Sequence, residues 1–171
     1  MHQAWRHERA DGIAALGTAL GVCLLGLEVG IALGVLFSLA THLYRASTPH
    51  IAVVGRIPGS SHFRNVARHQ VETLPQVLFL RIDESLFFGN LAAVENRLRD
   101  ELAHNPTLRD VVLIMSAVNW VDASAAEMLA DLAEELTAAG LHLHLAEVKG
   151  PVQDSLERAP LWHTLRSEER R

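Results

Sequence analysis

Cysteine is nearly absent from this chain. Of 171 residues only Cys23 carries a thiol. One cysteine closes no internal disulfide and builds no cysteine-rich zinc site. Its place in an apolar run fits a cytoplasmic or membrane-embedded setting. Lysine is equally scarce, with Lys149 alone. No run of basic residues occurs and the formal net charge is −5. That composition excludes a nucleic-acid surface. The terminal "RSEERR" mixes both signs and reads as a solvated tail. Also missing are HExxH, CxxC, GxSxG and the dinucleotide fingerprint, while "GRIPGSS" lacks the Lys-Ser/Thr of a phosphate loop. The chain offers no enzyme signature and no cofactor or metal motif.

What the sequence does contain is a long apolar run. Residues 13–43, "IAALGTALGVCLLGLEVGIALGVLFSLATHL", hold one carboxylate, Glu28, and one histidine, His42. That is too apolar for a surface helix and too long for a signal peptide. As one helix it would rise about 46 Å, at about 1.5 Å per residue, and would hold Glu28 in lipid. A split at "LEVG" gives two short helices of roughly 22 Å each, with Glu28 at a water-exposed tip. The favoured reading is this hairpin; one long tilted helix is the other. Gly17 and Gly21 are four apart, as are Gly26, Gly30 and Gly34. Such spacing lets membrane helices approach closely, although glycine is common in membrane helices in any case. Arg6 and Arg9 precede the run, and Arg45 and Arg56 follow it. This places both ends in the cytoplasm.

The remainder reads as a soluble α/β domain. Pro49 ends any helix. "HIAVVGRI" and "QVLFLRIDESLFF" (76–88) have strand composition, with Arg81 and Asp83 expected to point outward. Leu91, Val94, Leu98 and Leu102 fall at helical spacing behind Asn90, a candidate N-cap. "DVVLIMSAV" (110–118) suits a central strand covered on both faces. A helix is expected over 124–139, with Gly140 as its stop. "LHLHLAEV" (141–148) alternates, so His142 and His144 share a solvent-facing side and make a weak metal pair. Gly150-Pro151 opens another helix, and "LWHTLRS" forms a last turn. The order β-β-α-β-α-β-α implies a mostly parallel sheet.

The series "LLGLEVGIALGVLFSLATHLYR", "PHIAVVGRIPGSSHFRNV", "LRIDESLFFGN", "VVLIMSAVNWVDASA" and "LHLHLAEVKGPV" resembles the C-terminal part of a SulP-type anion permease. The resemblance covers the last two membrane helices and the attached STAS domain. It implies a STAS-like mixed β-sheet flanked by helices, preceded by a short transmembrane hairpin. The implied divisions are 1–46, the hairpin, and 47–171, a cytosolic STAS domain. The family carries sulfate, bicarbonate or related anions. The resemblance therefore implies a multi-pass plasma-membrane location, membrane lipid as partner, and a homodimer or the rest of a permease. A nucleotide or regulatory protein at the STAS domain is a further implied partner. The family's substrate-binding helices would lie upstream of residue 1. The family domain usually continues past the last helix, so truncation at the C-terminal edge is expected. The alternative is a membrane-anchored regulatory module of the anti-sigma-factor-antagonist type.

"VNWVDASAAEML" (118–129) is the candidate site, through Asn119, Asp122 and Ser124. In STAS antagonists the serine directly after the aspartate of this loop is phosphorylated. Here Ala123 stands there, and Ser124 comes one residue later. Three roles are open: a helix cap by Asp122 or Ser124, a contact surface, or phosphorylation of Ser124. Ser124 and Glu127 match the S-x-x-E capping box.

Overall fold

The structure, a computed structural model, describes residues 12, 16–24, 26–60 and 62–158. The chain divides into two compact units, residues 1–46 and 47–171.

In the first unit, residues 16–24 are helical and α1 follows over Leu27–Ala46. Gly26 separates them at φ +92, a conformation open to glycine and costly for other residues. This break gives the two helices of the favoured reading, with the split one residue earlier than expected. The chain is not one long helix, and the split falls at Gly26 rather than within "LEVG". Glu28 sits in the first turn of α1, where a carboxylate complements the helix dipole. The 20 residues of α1 rise about 30 Å, close to the bilayer core of about 30 Å. Among the described residues it is the one helix long and apolar enough to cross a membrane, at a mean hydropathy of 1.6. Val29, Ile31, Val35, Leu36, Phe37 and Leu39 stand exposed along it. The flanking Arg6 and Arg9 lie outside the described residues.

The second unit is built on a five-stranded sheet in the order β2-β1-β3-β4-β5. Its strands are β1 (Ile51–Arg56), β2 (Phe63–Asn65), β3 (Val77–Ile82), β4 (Asp110–Ile114) and β5 (His142–Ala146). β1 runs antiparallel to β2 and to β3, whereas β3, β4 and β5 are parallel. The sheet is therefore mixed. The parallel strands are joined by right-length crossovers through α2 (Leu91–His104) and α3 (Ala123–Ala138). α4 (Gly150–Glu157) follows β5, with proline in its first turn. "LWHTLRS" lies outside the described residues.

All three helices bury against one sheet face. Leu78, Leu80 and Ile82 of β3 meet Val94, Leu98, Leu129 and Leu156 there. Full burial of one such leucine contributes about 1.5–3 kcal/mol. The opposite face carries a smaller cluster of Ala52, Val54 and Ile114, with Phe63 and Phe79 packed against it. Among the described residues β4 is thus covered by helices on one side only, contrary to expectation, and Val112 stays half-buried.

α3 ends as Gly140 predicts. Gly140 takes φ +77, its N–H donates to Thr137 O at 3.0 Å, and Leu141 N–H donates to Leu136 O at 2.8 Å. This paired return satisfies carbonyls that the helix end leaves open. Three strands are shorter than the sequence suggests. The stretch 76–88 stops pairing after Ile82, 110–118 after Ile114, and 141–148 after Ala146. The apolar residues beyond those points line loops, and these loops form the site.

Candidate functional site

Residues 83–90, 115–122 and 147–149 leave the C-terminal ends of β3, β4 and β5 and converge. Leu86 N–H donates to Trp120 O at 3.2 Å, and Asp122 N–H donates to Leu86 O at 3.1 Å. These bonds bridge the first two loops. Ser85 and Asn90 are buried beneath them, with Asn90 fully enclosed. The Asn90 Oδ1 accepts from Phe87 N–H at 3.1 Å, and its Nδ2 donates to Ser85 O at 2.8 Å. Asn90 does precede α2 but its side chain makes no cap bond; it braces the preceding loop instead. Ser85 Oγ accepts from Asn119 N–H at 3.2 Å.

Asp122 is the cap. Its Oδ1 accepts from Ala125 N–H at 2.7 Å, satisfying a first-turn amide. Its Oδ2 accepts from Phe88 N–H at 3.1 Å, so one carboxylate ties α3 to the first loop. Ser124 lies exposed inside the first turn. The Ser124–Glu127 capping box is therefore not formed, because the helix starts one residue earlier and Asp122 already fills the cap position. Asp122→Ala should lower stability by about 1–2 kcal/mol, more than a neutral cap, because both bonds are charge-assisted. Ser124→Ala should change it by less than about 0.5 kcal/mol. Urea unfolding of the two variants checks this pair.

Asn119 is exposed, and its Oδ1 accepts from Lys149 Nζ at 2.8 Å. The third loop bends to allow this at Glu147, whose φ of 55 is rare for a residue with a side chain. The surface of the cluster is aromatic. Phe87 lies 5.7 Å from Phe88, edge to face, and 6.1 Å from Trp120. Phe88 is 75% and Trp120 is 52% exposed. Sequence reasoning found Asn119, Asp122 and Ser124, missed Ser85, Phe88 and Trp120, and gave Asn90 and Lys149 no part in the site. The dense "LFFGN" in a chain with only 5% aromatics was the signal available.

β1 starts beside this loop cluster. Asp83 N–H donates to His50 O at 3.1 Å, and His50 Nδ1 meets Asp83 Oδ2 at 2.8 Å. Arg81 Nε donates to Asp83 Oδ1 at 2.6 Å. Arg81 and Asp83 were expected to project outward; they lie half-buried and paired. Burial works against the Asp83 charge, but hydrogen bonds from Arg81 and His50, with their charges, hold its carboxyl below the ordinary range. The stabilisation is therefore present above the unfolded-chain value of about 4. It is lost as pH falls below that through the folded value. Asp83→Asn should flatten this part of the acid limb in a pH series of urea midpoints.

His142 and His144 share one side of β5, opposite the buried Leu143 and Leu145, but in unlike settings. His142 is exposed, whereas His144 is half-buried and its Nε2 meets Asp110 Oδ1 at 3.0 Å. Its side is thus not fully solvent-facing. Among the described residues no group of three metal-ligating side chains occurs.

The glycines of the first unit have distinct places. Gly21 and Gly30 are buried. A Cβ on Gly30 would come within 2.6 Å of the Val22 backbone, and one on Gly34 within 2.9 Å of the Thr18 side chain. A Cβ on Gly21 would sit 3.6 Å from Gly30 Cα. Gly26 forms the break, and a Cβ on Gly17 would meet nothing within 4 Å.

Residues 68–168 match the STAS domain. Probable sulfate transporter 4.2 of Arabidopsis thaliana is 32% identical over 166 residues, covering 91% of this chain and 24% of that protein. High affinity sulfate transporter 2 of Stylosanthes hamata is 30% identical over 158 residues, covering 86% and 24%. The chain thus spans about a quarter of the length of these curated relatives. The murine Solute Carrier 26 family member A9 anion transporter, solved in an inward-facing state, superposes with a TM-score of 0.83 at 18% identity. That match covers 95% of this chain and 26% of the transporter, and at such identity it shows the fold alone.

Proposed function

We infer function from one premise: this chain belongs to the STAS domain family, through residues 68–168. On that premise it is the C-terminal portion of a SulP-like secondary anion transporter of sulfate or bicarbonate type. Residues 1–46 are its membrane hairpin and 47–171 its cytoplasmic STAS domain. The STAS domain serves assembly or regulation and not transport itself, with a homodimer or the rest of the permease as partner. One observation carries the reading. Similarity to the sulfate transporter covers 91% of this chain. The uncovered remainder is too short to hold residues 1–46, so the match runs into the apolar segment as well. The glycine contacts between residues 16–24 and α1 support a packed membrane pair.

An antibody raised to residues 50–171 tests this in membranes of the source cells. A band several times larger than 18.8 kDa is expected. A band at 18.8 kDa would overturn the reading and favour the anchored regulatory module. Against that module stands Ala123, which offers no hydroxyl at the antagonist phosphoacceptor position. Vesicles holding only this chain should show no saturable sulfate uptake, because α1 is the one membrane-length helix among the described residues. Saturable uptake would overturn the assignment of transport to residues outside the chain.

A further inference from the structure

We propose that the Phe87–Phe88–Trp120 patch, with Lys149 beside it, is a lipid-contact surface that seats the STAS domain on the membrane interface. The inference rests on the reading of α1 as a membrane helix.

Three observations carry it. First, the patch is aromatic, exposed and built rather than accidental. Asn90 braces Phe87 from below, and Asp122 holds the Phe88 backbone. Such exposed apolar surface marks a contact site. Second, its chemistry is that of an interfacial belt. Tryptophan offers an apolar body with one donor, and lysine buries its stem while keeping its charge wet. Third, the patch lies at the sheet end where the chain enters from α1. His50 is fixed to Asp83, three residues before Leu86, which is bonded to Trp120. Only Ser47–His50 separates α1 from β1. Five Cα steps reach at most about 19 Å. Whatever the domain's orientation, this end of the sheet cannot travel far from the end of α1.

Nearby charges indicate how the contact works. Glu84, Glu147 and Asp122 accompany Lys149 around the loops. Three carboxylates against one lysine would repel anionic headgroups on balance, so insertion of the aromatic rings into a zwitterionic interface is the binding mode.

The test uses the full chain with Trp5→Phe and Trp162→Phe, leaving Trp120 as the reporter. It is reconstituted in phosphatidylcholine vesicles, some brominated on their acyl chains near the headgroup. Carbonate-washed flotation first shows whether the chain is integral; a chain that fails to float overturns the membrane reading of α1. For a floating chain, blue-shifted Trp120 emission quenched by the brominated lipid is expected. Emission that stays red-shifted and open to iodide means the patch faces water and overturns the inference. Blue-shifted emission, shielded from iodide and untouched by brominated lipid, means a protein covers the patch and also overturns it. A second reporter guards against misfolding of the tryptophan variants. Phe88→Cys with Cys23→Ser, labelled with an environment-sensitive dye, should brighten in vesicles and not in detergent-free solution with lipid withheld.

Discussion

Gly30→Leu should unpack the two helical stretches of residues 1–46, whereas Gly17→Leu should leave them paired. At Gly30 the obstacle is backbone. A Cβ would fall 2.6 Å from both N and Cα of Val22, and main-chain atoms inside a helix cannot swing aside. The stretches must separate, which gives up the close approach at Gly21, where an added Cβ would sit 3.6 Å from Gly30 Cα. Overpacking of this kind costs about 3 kcal/mol. At Gly17 a Cβ meets nothing within 4 Å, so the side chain adds apolar surface without displacing anything. SDS titration of the full chain in mild detergent, followed by circular dichroism, checks the difference. Equal midpoints for the two variants would mean that the glycine spacing reflects only the composition of membrane helices.

The second large effect is expected at Asn90. Asn90→Ala removes an acceptor for Phe87 N–H and a donor for Ser85 O inside a fully enclosed position. Each lost bond costs about 1 kcal/mol, and a stranded buried group adds about 1–3 kcal/mol. A total of about 3 kcal/mol is expected. Ser85→Ala loses one bond, to Asn119 N–H, and should cost about 1 kcal/mol. Urea unfolding of both variants reads the ratio. Equal losses would mean that the loop cluster is held by its backbone bridges and not by Asn90.

These two residues also show what a sequence can and cannot disclose. Glycines at intervals of four are visible in one line of text, but which of them face a partner depends on where the turn falls. Gly26 sets that turn, and moving it a few residues changes every pairing. Asn90 was visible as a residue before a helix. Its true partners lie five and three residues back, in a loop that composition alone continues as strand. Leu86, Phe87 and Phe88 look like strand residues because they are apolar. They leave the ladder after Ile82, where Asp83 pairs with His50, 33 residues away. Such a non-local bond has no signature in a local window. β2 was missed for a different reason: three residues hold too little alternation to detect. Local backbone chemistry was legible, as Gly140 and the alternation of β5 show. Asp122 was half-legible. Its role as a cap could be read nearby, but its second bond reaches Phe88 across 34 positions.

The four-residue link from Ser47 to His50 has a kinetic and thermodynamic meaning of its own. A module on so short a leash samples a small volume, and its effective concentration at its anchoring surface is on the order of millimolar. A contact whose free dissociation constant is itself millimolar would then be occupied about half the time. Small changes in that contact would shift occupancy in either direction. For a contact of that strength the link would convert an interaction too weak to survive dilution into one poised at its midpoint, where the least free energy shifts it.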